Sequence, residues 1–230
     1  MEINPYSPPQ PVAGPCEYYR PVIENLRLRE LWRITRPNAL VFCFAALCKI
    51  LRIRIPVDVA FGYDSLQRGD WSDAPTRVIE HHAGNIEEFR RLGYEPAFTT
   101  SRPLLGDGQV VALAMIGPAA DRIAGCLYTQ IVTRGRSSIH SGLAISSQDR
   151  SGAIYTTTNV RNRLDAPPEN RLILTAMSNV DELDRLHRQT VAELNLFSQF
   201  DRESAWELLK ECAKRELLDY LHRGVVTAVQ

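Results

Sequence analysis

The chain has 230 residues, of which 44% are hydrophobic and 23% are charged. These proportions are typical of a soluble globular protein and exclude a wholly disordered chain and a multi-span membrane protein. Lys plus Arg and Asp plus Glu both total 27, so the excess of positive charge that is typical of nucleic-acid-binding proteins is absent.

The first twenty residues contain five prolines and few aliphatic side chains. Because proline fixes the backbone dihedral φ and lacks an N–H donor, residues 1–20 are predicted to be an extended, disordered tail. A proline-type docking peptide around Tyr6-Ser7-Pro8-Pro9 is the alternative interpretation.

Residues 21–61 are predicted to form a basic, hydrophobic helical segment followed by an edge strand. The most apolar run of the chain lies at residues 39–48. Eight basic and three acidic residues lie between positions 17 and 54, which gives a local charge of +5 (8 − 3). Residues 53–61 alternate between apolar and polar side chains, as a half-buried strand does, and Pro56 restricts that strand to a sheet edge.

The apolar run leaves several interpretations open. It is too short to span a membrane, which takes about 20 apolar residues. A short apolar helix with basic flanks can lie in an anionic membrane surface, and the residues predicted to contact lipid are Leu40, Val41, Phe42, Phe44 and Leu47. The same run can equally be a buried core helix with solvated flanks, or enter the groove of a protein partner.

Five cysteines, at positions 16, 43, 48, 126 and 212, have no paired spacing and are odd in number. This pattern disfavours a disulfide framework and favours a reducing compartment. The expected location is therefore the cytoplasm, with attachment to a membrane surface through residues 22–54 as the open question.

Residues 62–230 are predicted to form an α+β domain that begins with a polar loop at 62–74. Pro75 and Gly93 mark the ends of the first helix, and turn residues separate the strands. The predicted elements are helices at 76–92, 180–198 and 202–223, and strands at about 97–104, 109–116, 123–133, 137–146, 152–160 and 171–177.

These elements predict an antiparallel meander sheet of five or six strands, preceded by the hydrophobic N-terminal helix. The strands follow one another without helical crossovers, and parallel pairing would need a long crossover connection. The amphipathic helices each need an apolar surface, so they are expected to pack on one face of the sheet.

Motifs for metal, phosphate and nucleophilic chemistry are absent from the sequence, which lacks His-Glu-x-x-His, Cys-x-x-Cys, Gly-x-Ser-x-Gly and a phosphate-binding loop. No metal site, cofactor or catalytic residue is predicted. His187 follows Asp184 by three residues and is interpreted as half of a helix-surface pair. No nucleic-acid partner is expected, because the basic segment lacks a platform of stacked aromatic side chains.

One polar cluster is the candidate ligand pocket. At the two-residue period of a strand, polar side chains repeat on one side of two predicted strands. The residues predicted to line a shared cleft are Ser138, His140, Tyr155, Thr157 and Asn159. Solvated strand surfaces are the alternative, since threonine favours strands for steric reasons alone.

A non-enzymatic ligand- or protein-binding module is the function that the sequence favours. No set of nucleophile, base and orienting group can be assembled from the residue spacing. A small-molecule enzyme that uses the pocket around Ser138, His140, Tyr155 and Thr157 is the alternative.

Several short motifs resemble a group of bacterial hypothetical proteins of planctomycete type. The opening Ile3-Asn4-Pro5-Tyr6-Ser7-Pro8 resembles the Asn-Pro-Tyr-x-Ser-Pro start of these proteins. The other similar motifs are Leu92-Gly93-Tyr94, Thr156-Thr157-Thr158-Asn159, Ala166-Pro167-Pro168 and Leu186-His187, within residues 76–195. The resemblance implies no established activity and assigns no functional residue.

Overall fold

The computed structural model describes residues 18–36, 38–55, 60–62, 65–105, 108–133, 136–160, 164–197 and 199–229, which form an α+β fold. The α-helices in these residues are α1 (Leu28–Thr35), α2 (Ala39–Ile50), α3 (Thr76–His81), α4 (Ala83–Arg91), α5 (Val180–Val191) and α6 (Arg202–His222). The strands are β1 (Tyr19–Pro21), β2 (Ala60–Phe61), β3 (Gln67–Gly69), β4 (Glu95–Arg102), β5 (Leu104–Leu105), β6 (Gly108–Ile116), β7 (Ile123–Thr133), β8 (Arg136–Gln148), β9 (Ile154–Thr158), β10 (Asn170–Leu174) and β11 (Val226–Ala228).

The larger sheet has seven strands in the order β10-β9-β8-β7-β6-β4-β3. The prediction of a five- or six-stranded antiparallel meander is wrong at both edges. At one edge, β3 pairs with β4 although it lies within the predicted loop at 62–74. At the other edge, β10 pairs with β9 in parallel, because the chain returns to the starting end of β9 before β10 begins.

The helices cover both faces of this sheet, so the prediction that they pack on one face is also wrong. Leu113 of β6 lies in one core cluster with Phe89 of α4 and Leu183 of α5. The next residue, Ala114, lies in a second cluster with Leu208 of α6. Successive residues of a strand point to opposite faces, so these two clusters lie on opposite sides of the sheet.

Two of the predicted helices differ from the structure in extent. The helix predicted at 76–92 is divided at His82 into α3 and α4, and His82 turns its ring toward the carbonyl of Leu127. The helix predicted at 180–198 ends at Val191, because Leu196 forms a bridge to Asp149 beyond it. The third, α6, agrees with its prediction to within one residue at its C-terminal end.

A smaller sheet, in the order β11-β1-β2-β5, joins the two ends of the described chain. β1 pairs antiparallel with β11, so the predicted tail ends before residue 19 and not after residue 20. Residues 1–17, with the proposed docking peptide at 6–9, lie outside the described residues. Of the predicted edge strand at 53–61, only β2 is a strand, and residues 56–59 lie outside the described residues.

The apolar run at residues 39–48 lies in α2, which is the second α-helix of the described chain. The helix that precedes it, α1, has an exposed polar side. The described chain therefore does not begin with a hydrophobic helix, as the prediction had it. Ala45 of α2 packs in a core cluster with Leu31 of α1 and Tyr220 of α6. One side of α2 is therefore part of the core.

A buried ion pair attaches α1 to the end of α6. Glu30 has no exposed surface and accepts two hydrogen bonds from Arg223 Nη2, at 2.5 and 2.6 Å. The same carboxylate accepts the backbone N–H groups of Arg27 and Asp165, both at 2.8 Å. Four hydrogen bonds therefore satisfy this buried charge, as burial of a carboxylate requires.

We expect Glu30→Gln to lower the free energy of unfolding by about 3 kcal/mol, because the substitution leaves Arg223 without its main counter-charge. Urea unfolding followed by circular dichroism measures this loss. The matched control is Glu203→Gln, which removes an exposed carboxylate that pairs with Arg68. The control is expected to cost less than about 1 kcal/mol, and equal losses in the two variants would contradict the prediction.

Candidate functional site

The structure does not bring the predicted pocket residues together. Thr157 lies directly opposite Ile145, so it shares a face of the sheet with the odd-numbered residues of β8. Ser138 and His140 have even numbers, point to the other face and are exposed. They also lie on the part of β8 that extends beyond its pairing with β9.

The remaining predicted pocket residues make contacts that hold loops and strands in place. The Tyr155 hydroxyl donates to Asp149 Oδ2 at 3.4 Å. Asn159 accepts the backbone N–H of Leu143 at 2.7 Å and donates to the carbonyl of Met177 at 2.9 Å. With these bonds, Asn159 joins the end of β9 to β8 and to the segment before α5.

Thr157 is part of a buried polar network around His187 on α5. The His187 ring has no exposed surface, so the interpretation of His187 as half of a helix-surface pair is wrong. Its Nδ1 lies 3.0 Å from Thr157 Oγ1, and its Nε2 lies 2.9 Å from Ser147 Oγ. Ser147 in turn donates to the backbone carbonyl of Asp121 at 2.9 Å.

These hydrogen bonds indicate which ring nitrogen of His187 carries the proton. The Ser147 hydroxyl donates its one proton in the hydrogen bond to the Asp121 carbonyl, so its oxygen accepts a hydrogen bond from His187 Nε2–H. His187 Nδ1 then accepts a hydrogen bond from the Thr157 hydroxyl. A serine nucleophile needs the opposite arrangement, in which the histidine accepts the serine proton. The network therefore serves to connect β8 and β9 to α5.

A buried carboxylate, that of Asp184, lies one turn before His187 on α5. Asp184 accepts a hydrogen bond from the Tyr94 hydroxyl at 2.6 Å, and its other oxygen lies 2.9 Å from Arg188 Nε. Arg122 Nε approaches the same carboxylate at 3.4 Å. Burial and the hydrogen bond to Asp184 raise the pKa of Tyr94, so this hydroxyl stays protonated.

Burial also lowers the pKa of two histidines. It lowers the pKa of His187 to about 4, and the nearby Arg122 cation acts in the same direction. Burial likewise lowers the pKa of His82 to about 4, although the hydrogen bond with the Leu127 carbonyl opposes the shift. Both rings are therefore neutral in the folded protein at pH 7.

A shallow depression lies near the start of β9, where Gly152, Glu169 and Arg215 are among its lining residues. None of the predicted pocket residues lines it. The Arg215 guanidinium is already bound to Glu211 and to the carbonyl of Gly152. In the part of the chain that the structure describes, no group of His, Cys, Asp or Glu residues is arranged to hold a metal ion.

The second candidate site is an apolar surface on α2. Leu40, Phe44, Leu47 and Leu51 are between 53% and 82% exposed. Their spacing of four, three and four residues places them on one side of the helix. We call these four residues the α2 stripe.

Three of the five residues predicted to contact lipid, Leu40, Phe44 and Leu47, belong to the α2 stripe. Val41 is also exposed. Phe42 points to the other side of α2, where its ring lies 5.0 Å from the ring of Trp32.

Basic side chains lie at both ends of α2. Arg36 precedes the helix, Arg52 and Arg54 follow it, and all three are exposed. Exposed apolar side chains flanked by arginines can enter the headgroup region of an anionic membrane while the arginines contact its negative charge. No helix in the described ranges is long and apolar enough to cross a bilayer.

Comparison with known proteins finds no relative, since no family model, curated protein or solved structure matches the chain. The resemblance to planctomycete-type proteins therefore stays a prediction.

The free energy of unfolding should fall as the pH decreases from 6.5 to 4. An unfolded histidine has a pKa near 6.5 and binds a proton in this range, whereas the folded His187 does not. His187 alone should account for about 3 kcal/mol of this loss. In His187→Gln the decrease should therefore be smaller, whatever the stability of the variant at pH 7.

Urea unfolding at several pH values between 7 and 4 measures this dependence. His140→Gln, which replaces an exposed histidine of β8, is the matched control and should keep the wild-type dependence. If His187→Gln and the wild type lose the same free energy of unfolding between these pH values, the assignment of His187 as a buried neutral histidine is wrong.

Proposed function

We propose that this chain is a non-enzymatic binding module that attaches to an anionic membrane surface through α2. The observation that carries the proposal is the α2 stripe, a row of large apolar side chains exposed to water on a helix with arginines at both ends. Contiguous exposed apolar surface marks sites where soluble proteins contact membranes or partners. The arginines favour an anionic membrane as the partner.

The energies are sufficient for reversible attachment. Full burial of a leucine or phenylalanine side chain contributes about 1.5–3 kcal/mol, so partial burial of the four side chains contributes several kcal/mol. Each arginine near an anionic surface adds about 1 kcal/mol. Interfacial helices lie in the plane of the membrane and enter it by only about 5–10 Å. A helix of twelve residues, too short to span a bilayer, is therefore long enough to bind in this way.

The opposite side of α2 supports this proposal because it anchors the helix to the domain. Ala45 and Cys48 are buried, and Phe42 contacts Trp32 of α1. The α2 stripe can therefore enter an interface without α2 leaving the core. The large sheet would then remain outside the membrane, available to a ligand or protein.

We expect the wild-type protein to co-sediment with phosphatidylcholine vesicles that contain phosphatidylglycerol, and to bind pure phosphatidylcholine vesicles more weakly. The triple variant Leu40→Ser, Phe44→Ser, Leu47→Ser should bind about 100-fold more weakly, because three apolar side chains no longer enter the interface. The matched control is Ile139→Ser with Leu218→Ser, since these residues are 51% and 57% exposed but lie on β8 and α6. The control should bind like the wild type.

Two outcomes would contradict the proposal. Equal binding by the wild type and the triple variant would show that α2 does not contact the membrane. A wild-type dimer that becomes monomeric in the triple variant, without vesicle binding, would assign the α2 stripe to an interface between copies of the chain. Analytical ultracentrifugation of both proteins distinguishes this second outcome.

A further inference from the structure

Three arginines of the α1 region converge on one carboxylate. Arg27 Nη1 lies 3.0 Å from Asp165 Oδ2, and Arg29 Nη2 lies 2.6 Å from the same oxygen. Arg33 binds the other oxygen, Oδ1. A shared oxygen atom therefore holds the guanidinium groups of Arg27 and Arg29 beside each other.

The positive charge of this cluster exceeds its negative charge. Three guanidinium groups face the single carboxylate of Asp165, which leaves a local charge of +2 (3 − 1). Glu30 does not neutralise it, because its carboxylate is occupied by Arg223 and by two backbone N–H groups. The pKa of Asp165 is raised by burial but lowered more by its arginine partners, so Asp165 stays anionic.

The cluster also has more hydrogen-bond donors than acceptors. Each guanidinium carries five N–H donors, whereas a carboxylate offers about four acceptor positions. Arg27 and Arg29 are 54% and 68% exposed, so their remaining donors face the solvent. Two guanidinium groups with free donors, held side by side, match the oxygens of a phosphate group.

Apolar side chains lie next to these arginines. Leu28 is between Arg27 and Arg29 in the sequence and is exposed, as is Trp32 one turn later. Trp32 also contacts Phe42, which lies on the side of α2 opposite the α2 stripe, so the arginine pair adjoins α2 through the N-terminal end of α1. A phosphate bound by Arg27 and Arg29 would therefore have apolar protein surface beside it, as a lipid headgroup requires.

We propose that Arg27 and Arg29, positioned by Asp165, bind the phosphate of an anionic lipid headgroup. This inference rests on the proposed function, since it takes the anionic membrane of that proposal as the source of the phosphate. Free phosphate or a soluble phosphate ester has the same recognition chemistry, and the experiment below separates the two sources.

The test compares two arginines of the same helical region in vesicle binding. Arg29→Lys keeps the charge but loses the planar donor fork, and Arg29→Gln loses both. Arg36→Lys and Arg36→Gln are the matched controls, because Arg36 is exposed at the other end of α1. Binding to phosphatidylcholine vesicles that contain phosphatidic acid is measured by co-sedimentation. The four variants should fold, since an exposed ion pair contributes little to stability.

We expect both Arg29 variants to bind at least about tenfold more weakly, because each loses a hydrogen bond to the charged phosphate. Arg36→Gln should bind about fivefold more weakly, because it removes one positive charge near the anionic surface. Arg36→Lys should weaken binding less than Arg29→Lys does, because lysine keeps the charge by which Arg36 contributes. If Arg29→Lys binds like the wild type, or if the two Gln variants weaken binding equally, general electrostatic attraction explains the binding and the inference is wrong.

A second measurement identifies the source of the phosphate. Inorganic phosphate and glycerol phosphate are added at matched ionic strength, and the thermal unfolding midpoint is compared with that in chloride. Phosphate could raise the unfolding midpoint of the wild type but not that of Arg29→Lys, while Arg29→Lys binds vesicles like the wild type. That result would assign the site to a soluble phosphate and overturn the lipid assignment. Vesicle binding that depends on the α2 stripe but not on Arg29 would overturn this inference alone, and absence of vesicle binding would overturn the proposed function as well.

Discussion

The buried ion pair between Glu30 and Arg223 determines where the helices α1 and α2 lie on the domain. Removing both charges from water is costly, and the cost is offset because the Glu30 carboxylate also accepts two backbone N–H groups. The pair fixes α1 against the end of α6. Since α2 follows α1 and packs on it through Trp32 and Phe42, the position of α2 depends on the same pair.

The two sides of α2 differ in what they contact, and this difference is the basis of the proposed function. A helix that is apolar all round is normally buried or lies in a membrane. Here Ala45 is in the core while Leu40 and Phe44 face the solvent, so only half of the helix has a protein partner in the described residues. The hydroxyl-rich strand β9 differs, because Thr157 is already bound to His187 inside the protein.

Much of the large sheet could be predicted from the sequence. The strand predicted at 123–133 matches β7, and that at 109–116 matches β6 to within one residue, because alternation and turn residues act over a few positions. β3 was not predicted, since a glutamine, an arginine and a glycine carry no such pattern. The burial of His187 was missed for a similar reason: the face of α5 that carries it has a polar histidine and aspartate where the pattern calls for apolar residues.

The sequence by itself determined the α+β class, the central strands, the helix at 202–222 and the apolar, basic character of residues 22–54, because these depend on local periodicity and composition. Only the tertiary structure decided which side of α2 is exposed and which arginines meet Asp165. Those outcomes depend on contacts between distant residues, such as Glu30 and Arg223, which are 193 positions apart. Only the pairing register between β8 and β9 could show that Ser138 and His140 face away from Thr157, because each strand's own alternation leaves their relative faces undetermined.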